Sequence, residues 1–383
     1  MRPVILLSCL SLLVSAAPAA DSLNVRLVGT FVTPGTAFGV SVDGDYAYVA
    51  DFRAGLRVVS VADPAHPIEV GRCDTTISAY DVVVSGGYAY VAADEAGLRI
   101  ISVADPQNPY EVGYYDTPGH ARGVAVYGMY AYVADFDSGL RVISIADRTN
   151  PIEAGNYKAP DLAWDVAVDG QYAYVAYGDT GLRVLSIADP SHPVEVGACH
   201  TVYGCGVKVL GDYAYVADNL IGLLVISIAD PTQPVQLGYW GPYYYNNDVA
   251  ALGDTAYVAT DDGGLRVIST ANPVEPIQLG YYDTPGHVYD VDIAGGHIFA
   301  AYGEVGVLIL KYSVPGVQEK PGADVRVPSS APVVVRALPW GVVAFDAMGR
   351  RAANPKPGVY FVCEGSLVGS HKPRAVRKVV VTR

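Results

Sequence analysis

Seven residues stand at the head of seven short apolar runs: Phe38, Tyr80, Arg122, Trp164, Cys205, Asn247 and Tyr289. They are 41 or 42 residues apart. A second set at the same period is acidic: Asp51, Asp94, Glu95, Asp135, Asp137, Asp179, Asp218, Asp261, Asp262 and Glu304. Aromatic faces beside carboxylates on a concave surface suit sugars, peptides or cations. The candidate ligand-binding set is therefore Phe38, Tyr80, Arg122, Trp164, Asn247 and Tyr289. Two plainer readings compete with it. Phe38, Tyr80, Trp164 and Tyr289 share a face with the valines that follow them, as core aromatics would. The acids suit tight turns and a soluble surface.

Catalytic motifs are missing. There is no Gly-x-Ser-x-Gly, no His-Glu-x-x-His and no phosphate-cradling loop. Carboxylate pairs suited to glycoside cleavage can be assembled from the acidic set. Because nearly every repeat supplies such an acid, a pair has little diagnostic weight. His120 and His287 both sit in Thr-Pro-Gly-His, and equivalence under the repeat favours a loop-building role. No metal site is expected from the histidine spacing, and there is no Cys-x-x-Cys. No cofactor is expected. For calcium, Asp261 and Asp262 are the densest acids, short of the converging oxygens a hard cation needs. Cys199 and Cys205 flank one loop and are either a disulfide or two buried thiols.

The elements that position these residues are read from Tyr-Ala-Tyr-Val-Ala. It begins at Tyr46, Tyr88, Tyr130, Tyr172 and Tyr213, and degrades at Thr255 and His297. A fixed period near 42 residues signals a propeller, solenoid or array. Each repeat reads as four short strands of alternating β-branched and aromatic residues, bounded by Gly, Asp and Pro. Asp63-Pro64, Asp105-Pro106, Asp189-Pro190 and Asp230-Pro231 belong in turns, since proline cannot donate to a ladder. Seven first strands and seven third strands can be counted, but only six fourth strands follow them. The seventh, Arg26-Leu-Val-Gly29, precedes everything. An N-terminal strand that completes the C-terminal blade closes a ring and covers its edges. The expected fold is all-β: a seven-bladed propeller of four-stranded blades. The recurring Arg57, Arg99, Arg141, Arg183 and Arg266 of the third strands are expected to pair with turn acids or carbonyls, away from the axis.

Tyr-Ala-Tyr-Val-Ala-Asp, Gly-Leu-Arg-Val-Ile-Ser and Ala-Asp-Pro-x-x-Pro-x-Glu-Val-Gly together resemble the LVIVD repeat family of surface propellers, over roughly residues 25 to 312. The resemblance implies the fold and brings no catalytic residues. Leu224 in place of the recurring Arg, and His297-Ile-Phe in place of Tyr-Ala-Tyr, depart from it.

The ends of the chain differ from its middle. Residues 1–20 combine Arg2, an apolar run from Val4 to Val14 and Ala-Pro-Ala-Ala, the pattern of a secretory signal peptide. The propeller is expected over 21–312, a Pro- and Gly-rich linker over 313–332 and a small β-sandwich-like module over 333–383. In that module Val342–Arg351, the strand Pro357-Gly-Val-Tyr-Phe-Val362 and the final Arg377–Arg383 resemble the C-terminal sorting domain of the type IX secretion system. That resemblance implies the type IX export machinery as a partner. The alternative is an accessory domain with no sorting role. Net charge is −22 over residues 21–312 and +7 over 313–383. An acidic propeller repels nucleic acid and anionic lipid.

The leading expectation is an exported, non-enzymatic binding scaffold for protein or glycan at the cell surface or outside the cell. An extracellular polysaccharide hydrolase or lyase using the loop acids, or a purely structural envelope protein, are the alternatives.

Overall fold

The computed structural model describes residues 21–74, 78–241, 245–261, 263–283 and 286–313, and five strands between 333 and 381. The expected signal peptide, nearly all of the expected linker and Asp262 lie outside the described residues. The chain divides into two compact units at Ser313 and Val314.

The first unit is a propeller of seven antiparallel sheets. Blade one runs through Gly39–Asp43, Tyr46–Ala50, Leu56–Ser60 and Ile68–Cys73, from the axis outward. Blades two to six repeat this order, with inner strands Asp81–Ser85, Gly123–Tyr127, Ala163–Asp169, Gly204–Leu210 and Asn246–Leu252. Blade seven has Asp290–Ala294, His297–Ala301 and Val307–Tyr312, and takes Val25–Phe31 as its outer strand. The displaced strand thus closes the ring, as its position in the sequence implies. Asp21–Leu23 adds an unforeseen fifth strand to blade six, pairing with Tyr281–Asp283.

Tyr-Ala-Tyr-Val-Ala, with its degraded forms in blades six and seven, makes the second strand of each blade because both of its faces are covered. In blade three, Ala131, Tyr132, Val133 and Ala134 are all buried. The alternate faces contribute to different clusters between blades. Small Ala and bulky Tyr or Val therefore alternate to let twisted blades pack closely.

The outer strands carry a bulge at the recurring glycine. A Cβ on Gly71 would lie 2.1 Å from the Pro106 carbonyl oxygen, and one on Gly29 would lie 2.1 Å from that of Pro64. These outer strands thus rest on the Asp-Pro turn of the following blade, as those of Gly155 and Gly197 do on Pro190 and Pro231. Gly71→Ala forces two backbones apart and is expected to destabilise the propeller by about 1–3 kcal/mol. A lower urea midpoint with an unchanged m-value would show it; an unchanged midpoint would mean that this contact carries no weight.

The recurring arginines pair within their own blades, as expected. Arg57 meets Asp74 at 3.0 Å and Asp51 at 3.5 Å. Arg99 meets Asp116, Arg141 meets Asp135 and Glu153, Arg183 meets Glu195, and Arg266 meets Asp283.

The second unit's described strands form one sheet, ordered Val333–Val335, Ala375–Val381, Gly358–Glu364, Val343–Phe345, Arg351–Ala352. The first pair is parallel and the others are antiparallel. Among the described residues this is a single sheet.

Candidate functional site

The mouth of the axial channel is built by backbone bridges from blade to blade. Ala37 pairs with Gly303, Ala79 with Phe52, Ala121 with Asp94, Ala163 with Phe136 and Gly204 with Gly178. In each case the loop after a second strand holds the residue that enters the next inner strand. The residue that follows each bridge is Phe38, Tyr80, Arg122, Trp164 or Cys205. Its direction is set by that bridge and by the first bond of its own ladder. Phe38, Tyr80 and Arg122 donate their N–H groups to Ala50, Ala92 and Ala134. Trp164, Cys205 and Asn247 each sit where the register shifts against the second strand. A bulge turns such a residue out of the pleat.

All six candidate ligand-binding residues, and Cys205 with them, line one cavity of ≈ 300 Å³. They remain part-exposed, whereas the valines two residues on, such as Val40, Val82 and Val124, are buried between blades. The packing expected of the aromatics thus falls to the valines. The aromatic wall is continuous on one side: Phe38 lies 4.4 Å from Tyr289 and 4.9 Å from Tyr80, centroid to centroid. Phe52 braces Phe38 and Tyr80 edge-on, and Phe136 braces Trp164 in the same way. The Arg122 guanidinium lies 3.9 Å from the centre of Tyr80 and 5.4 Å from that of Phe136. Its Nη2 is 3.2 Å from Asp94. Asn247 donates to the Val288 carbonyl at 2.8 Å. The Trp164 and Tyr203 rings lie 6.1 Å apart, centroid to centroid.

Four carboxylates floor the cavity: Asp81, Asp165, Asp248 and Asp290. The same four border the channel below, a space of ≈ 280 Å³. Each spans two blades. Asp81 accepts N–H bonds from Val82 and from Val124 of the next blade. Asp165 accepts from Val166 and Val207. Asp290 accepts from Val291 and Val40, and Asp248 reaches Val291 at 3.3 Å. The acids open on a narrow channel but are surrounded by protein. Burial, then the charges of Asp248 and Asp81, pushes Asp165 up to about 8. Burial pushes Asp81 up to about 6. Burial and the Asp248 carboxylate, which also hydrogen-bonds it, raise Asp290 well above the usual carboxylate range.

Many of the loop acids are engaged in building the face. Asp51, Asp135 and Asp218 are fully buried. Asp51 accepts the Gly35 N–H, Asp135 takes Gly119 and the Thr117 hydroxyl, and Asp218 takes four N–H groups. Asp94 pairs with His120 at 2.9 Å, and Asp261 with His287 at 2.6 Å. The two Thr-Pro-Gly-His loops thus make the same contact in two blades, which is the loop-building role expected of them. Asp261, half of the weak calcium candidate, is held by that pair.

Cys199 and Cys205 are free thiols. This corrects the disulfide alternative. Cys199 ends an outer strand and packs between blades four and five, while Cys205 lines the axial mouth. The chain crosses a whole blade between those places, about 14 Å at ~4.8 Å per strand. Bridging requires Cα atoms within about 7 Å.

The LVIVD repeat model matches residues 34–75, 78–117, 118–159, 162–201, 203–239 and 245–284, well over half of the chain. The chain belongs to the LVIVD repeat family. Blade seven, with its degraded second strand, is not among the matched segments. No curated protein matches this LVIVD repeat chain. Among solved structures it is similar to the WD40 repeats of RRP9, with a TM-score of 0.63 at 13% identity, over 77% of this chain and 98% of that one. It is also similar to U3-55K, at 0.60 and 14%, over 75% and 98%. The computationally designed Ika8 protein gives 0.58 and 8%, over 74% and 98%. At such identities the likeness concerns the fold alone.

Sequence reasoning missed the carboxylate floor, together with Phe52 and Phe136. The signal for the floor is the alternation Gly39, Asp81, Gly123, Asp165, Gly206, Asp248, Asp290 at the inner-strand starts. Phe52 and Phe136 are signalled by the Asp-Phe step that follows two of the second strands.

Proposed function

We propose that this LVIVD repeat protein is an exported, non-enzymatic scaffold that binds a protein or glycan ligand through the loop face of its propeller. The observation that carries this reading is the convergence of Phe38, Tyr80, Trp164 and Tyr289 on one open cavity at the axis. Half-buried aromatics around a concave, water-accessible space are costly to leave solvated and favourable to cover. A non-catalytic role is supported by the loop acids: Asp51, Asp135 and Asp218 are spent on backbone N–H groups, and Asp94 and Asp261 on histidines. In this reading residues 1–20 direct export, and the C-terminal unit engages the type IX machinery at the cell surface or on release.

Affinity capture tests the reading, with the full chain as bait and Tyr80→Ala, Trp164→Ala, Tyr289→Ala as a combined control that keeps its far-UV spectrum. A ligand captured from cell-surface and culture extracts should be retained at least about tenfold less by the control, as expected for removal of central aromatic anchors. Equal retention would move the site off this face. Empty captures together with polysaccharide cleavage by the full chain would favour the enzyme.

A further inference from the structure

We infer that the axial mouth is a cation site for an organic ammonium group, whose carbons lie against Phe38, Tyr80, Trp164 and Tyr289 while its charge faces Asp81, Asp165, Asp248 and Asp290. This rests on the reading of the mouth as a ligand site and names the chemistry of the ligand.

Three observations carry it. The first is shape and lining: a cavity of ≈ 300 Å³ has room for a compact organic ion, with aromatic faces at its side and carboxylates at its base. Ring faces are electronegative, so walls and floor act in the same sense on a cation. The second is the charge balance of the mouth. Arg122 is the cation among the lining residues, and Asp94 holds it at the rim. The cation that acts on Asp81 is Lys208, which borders the channel beneath. Asp261 and Glu304 add negative charge around Tyr289, as Asp161 and Asp179 do around Tyr203. The third is that the wall already holds a cation. The Arg122 guanidinium carbon lies over Tyr80 at 3.9 Å from the ring centre, a distance at which cation–π attraction is strong.

Other ligand classes fit less well. An anion would face the acid floor, and Arg122, the cation of the lining, is already paired with Asp94. No group of three or more metal-ligating side chains converges among the described residues. A sugar stacks best on one flat exposed ring, whereas Phe38 and Tyr289 are tilted by 50° and share their faces with each other. The raised proton affinity of Asp165 and Asp81 agrees with a floor short of positive charge. A bound ammonium would supply it.

Isothermal titration of the full chain tests this with three probes. Choline carries the charge, 3,3-dimethyl-1-butanol is its neutral isostere, and Nα-acetyl-lysine methylamide presents the ammonium as a protein would. Choline should bind at least about tenfold more tightly than the neutral isostere, the difference expected of a desolvated cation–π site. Tyr289→Ala and Asp165→Asn should each weaken choline by a similar factor. Arg122→Gln should tighten it by clearing the face of Tyr80, a gain that misfolding cannot imitate. Tighter binding of the lysine probe than of choline would assign the ammonium to a protein ligand, and the reverse order to a free quaternary amine. Equal affinity for choline and its neutral isostere would overturn the inference, and so would silence of both ammonium probes. If the combined aromatic control still loses its captured ligand in either case, the scaffold reading stands and only the cation assignment falls.

Discussion

A chain that starts at Pro34 does not form a stable ring. It lacks Val25–Phe31, whose pairing with Val307–Tyr312 completes blade seven, and Asp21–Leu23, which extends blade six. Between them Asn24 donates to the Leu279 carbonyl and accepts from Ser313. One segment therefore ties two blades together at the place where the ring begins and ends. Its loss uncovers the last strand of blade seven, in which Leu308, Ile309 and Leu310 are buried, and leaves a hydrophobic edge open to other chains. Removing Val25, which is buried, and Val28 and Phe31, which are partly buried, from their clusters costs up to about 4.5–9 kcal/mol at ~1.5–3 kcal/mol per fully buried side chain. That is comparable to the whole stability of a typical domain, about 5–15 kcal/mol. The truncated chain is expected to elute as aggregate or to lose its near-UV dichroism, and a peptide spanning residues 21–33 should restore the ring in trans. Gly29→Val offers a milder probe, since its Cβ would meet the Pro64 carbonyl at 2.1 Å. A truncated monomer that melts at the parent temperature would refute this account of closure.

The same segment shows how much of this molecule is legible from its sequence. Repetition reveals the fold because each blade buries its faces on its neighbours, so the same apolar pattern must return every 42 residues or so. The missing seventh outer strand, and its stand-in at Arg26–Gly29, follow from counting. The mouth residues follow too, since register places Phe38, Tyr80, Arg122, Trp164, Cys205, Asn247 and Tyr289 at equivalent points. The direction of a side chain within a loop does not follow. Asp51, Asp135 and Asp218 read as surface acids because Asp is common in turns, yet each folds inward onto N–H groups about 16 residues earlier in the chain. Only the path of that earlier loop over the blade makes the carboxylate necessary. Phe52 and Phe136 were equally hidden: their left-handed φ values of 36° and 44° are imposed by bridges to Ala79 and Ala163 on the next blade.

The carboxylate floor follows from packing seven strands around one axis. A Cβ on Gly123 would lie 2.7 Å from a carboxylate oxygen of Asp165, and one on Gly39 would lie 2.8 Å from the Asp81 Cα. Inner strands are so close there that Gly39, Gly123 and Gly206 leave the room that Asp81, Asp165 and Asp248 occupy on the blades that follow. Alternation satisfies this for an even ring. Seven is odd, so the alternation must break at one step, and in this chain it breaks at two acids, Asp248 and Asp290, which share a hydrogen bond. The raised proton affinity of Asp290 places the proton of that bond on Asp290.

The expected consequence is a propeller that is more stable in mild acid than in mild base. Asp165 is raised to about 8 and Asp81 to about 6 from an ordinary value of 3.8, and Asp290 and Asp292 are raised too, with burial the largest cause. A carboxyl that holds its proton more tightly when folded favours the folded state while protonated. That advantage is complete below the unfolded value, near 4, and is lost as pH rises through 6 to 8. Lys208 on the channel side offsets part of the repulsion at Asp81 and Asp292, and the Cys205 thiol, held up to about 12, stays neutral throughout. Below pH 4 the exposed turn acids Asp63, Asp105, Asp147, Asp189 and Asp230, all held lower than usual by local hydrogen bonds, reverse the trend. The melting temperature should therefore be on the order of 5 °C higher at pH 5.5 than at pH 8. Asp290→Asn keeps an acceptor for a neighbouring N–H while removing the charge, and should roughly halve that difference by raising the value at pH 8. His120→Gln with His287→Gln should leave most of the difference in place, because their partners Asp94 and Asp261 sit on the rim and not on the floor. A melting temperature that is flat from pH 5.5 to 8, or a slope carried by the histidines alone, would mean that the seven-fold closure carries no shared proton.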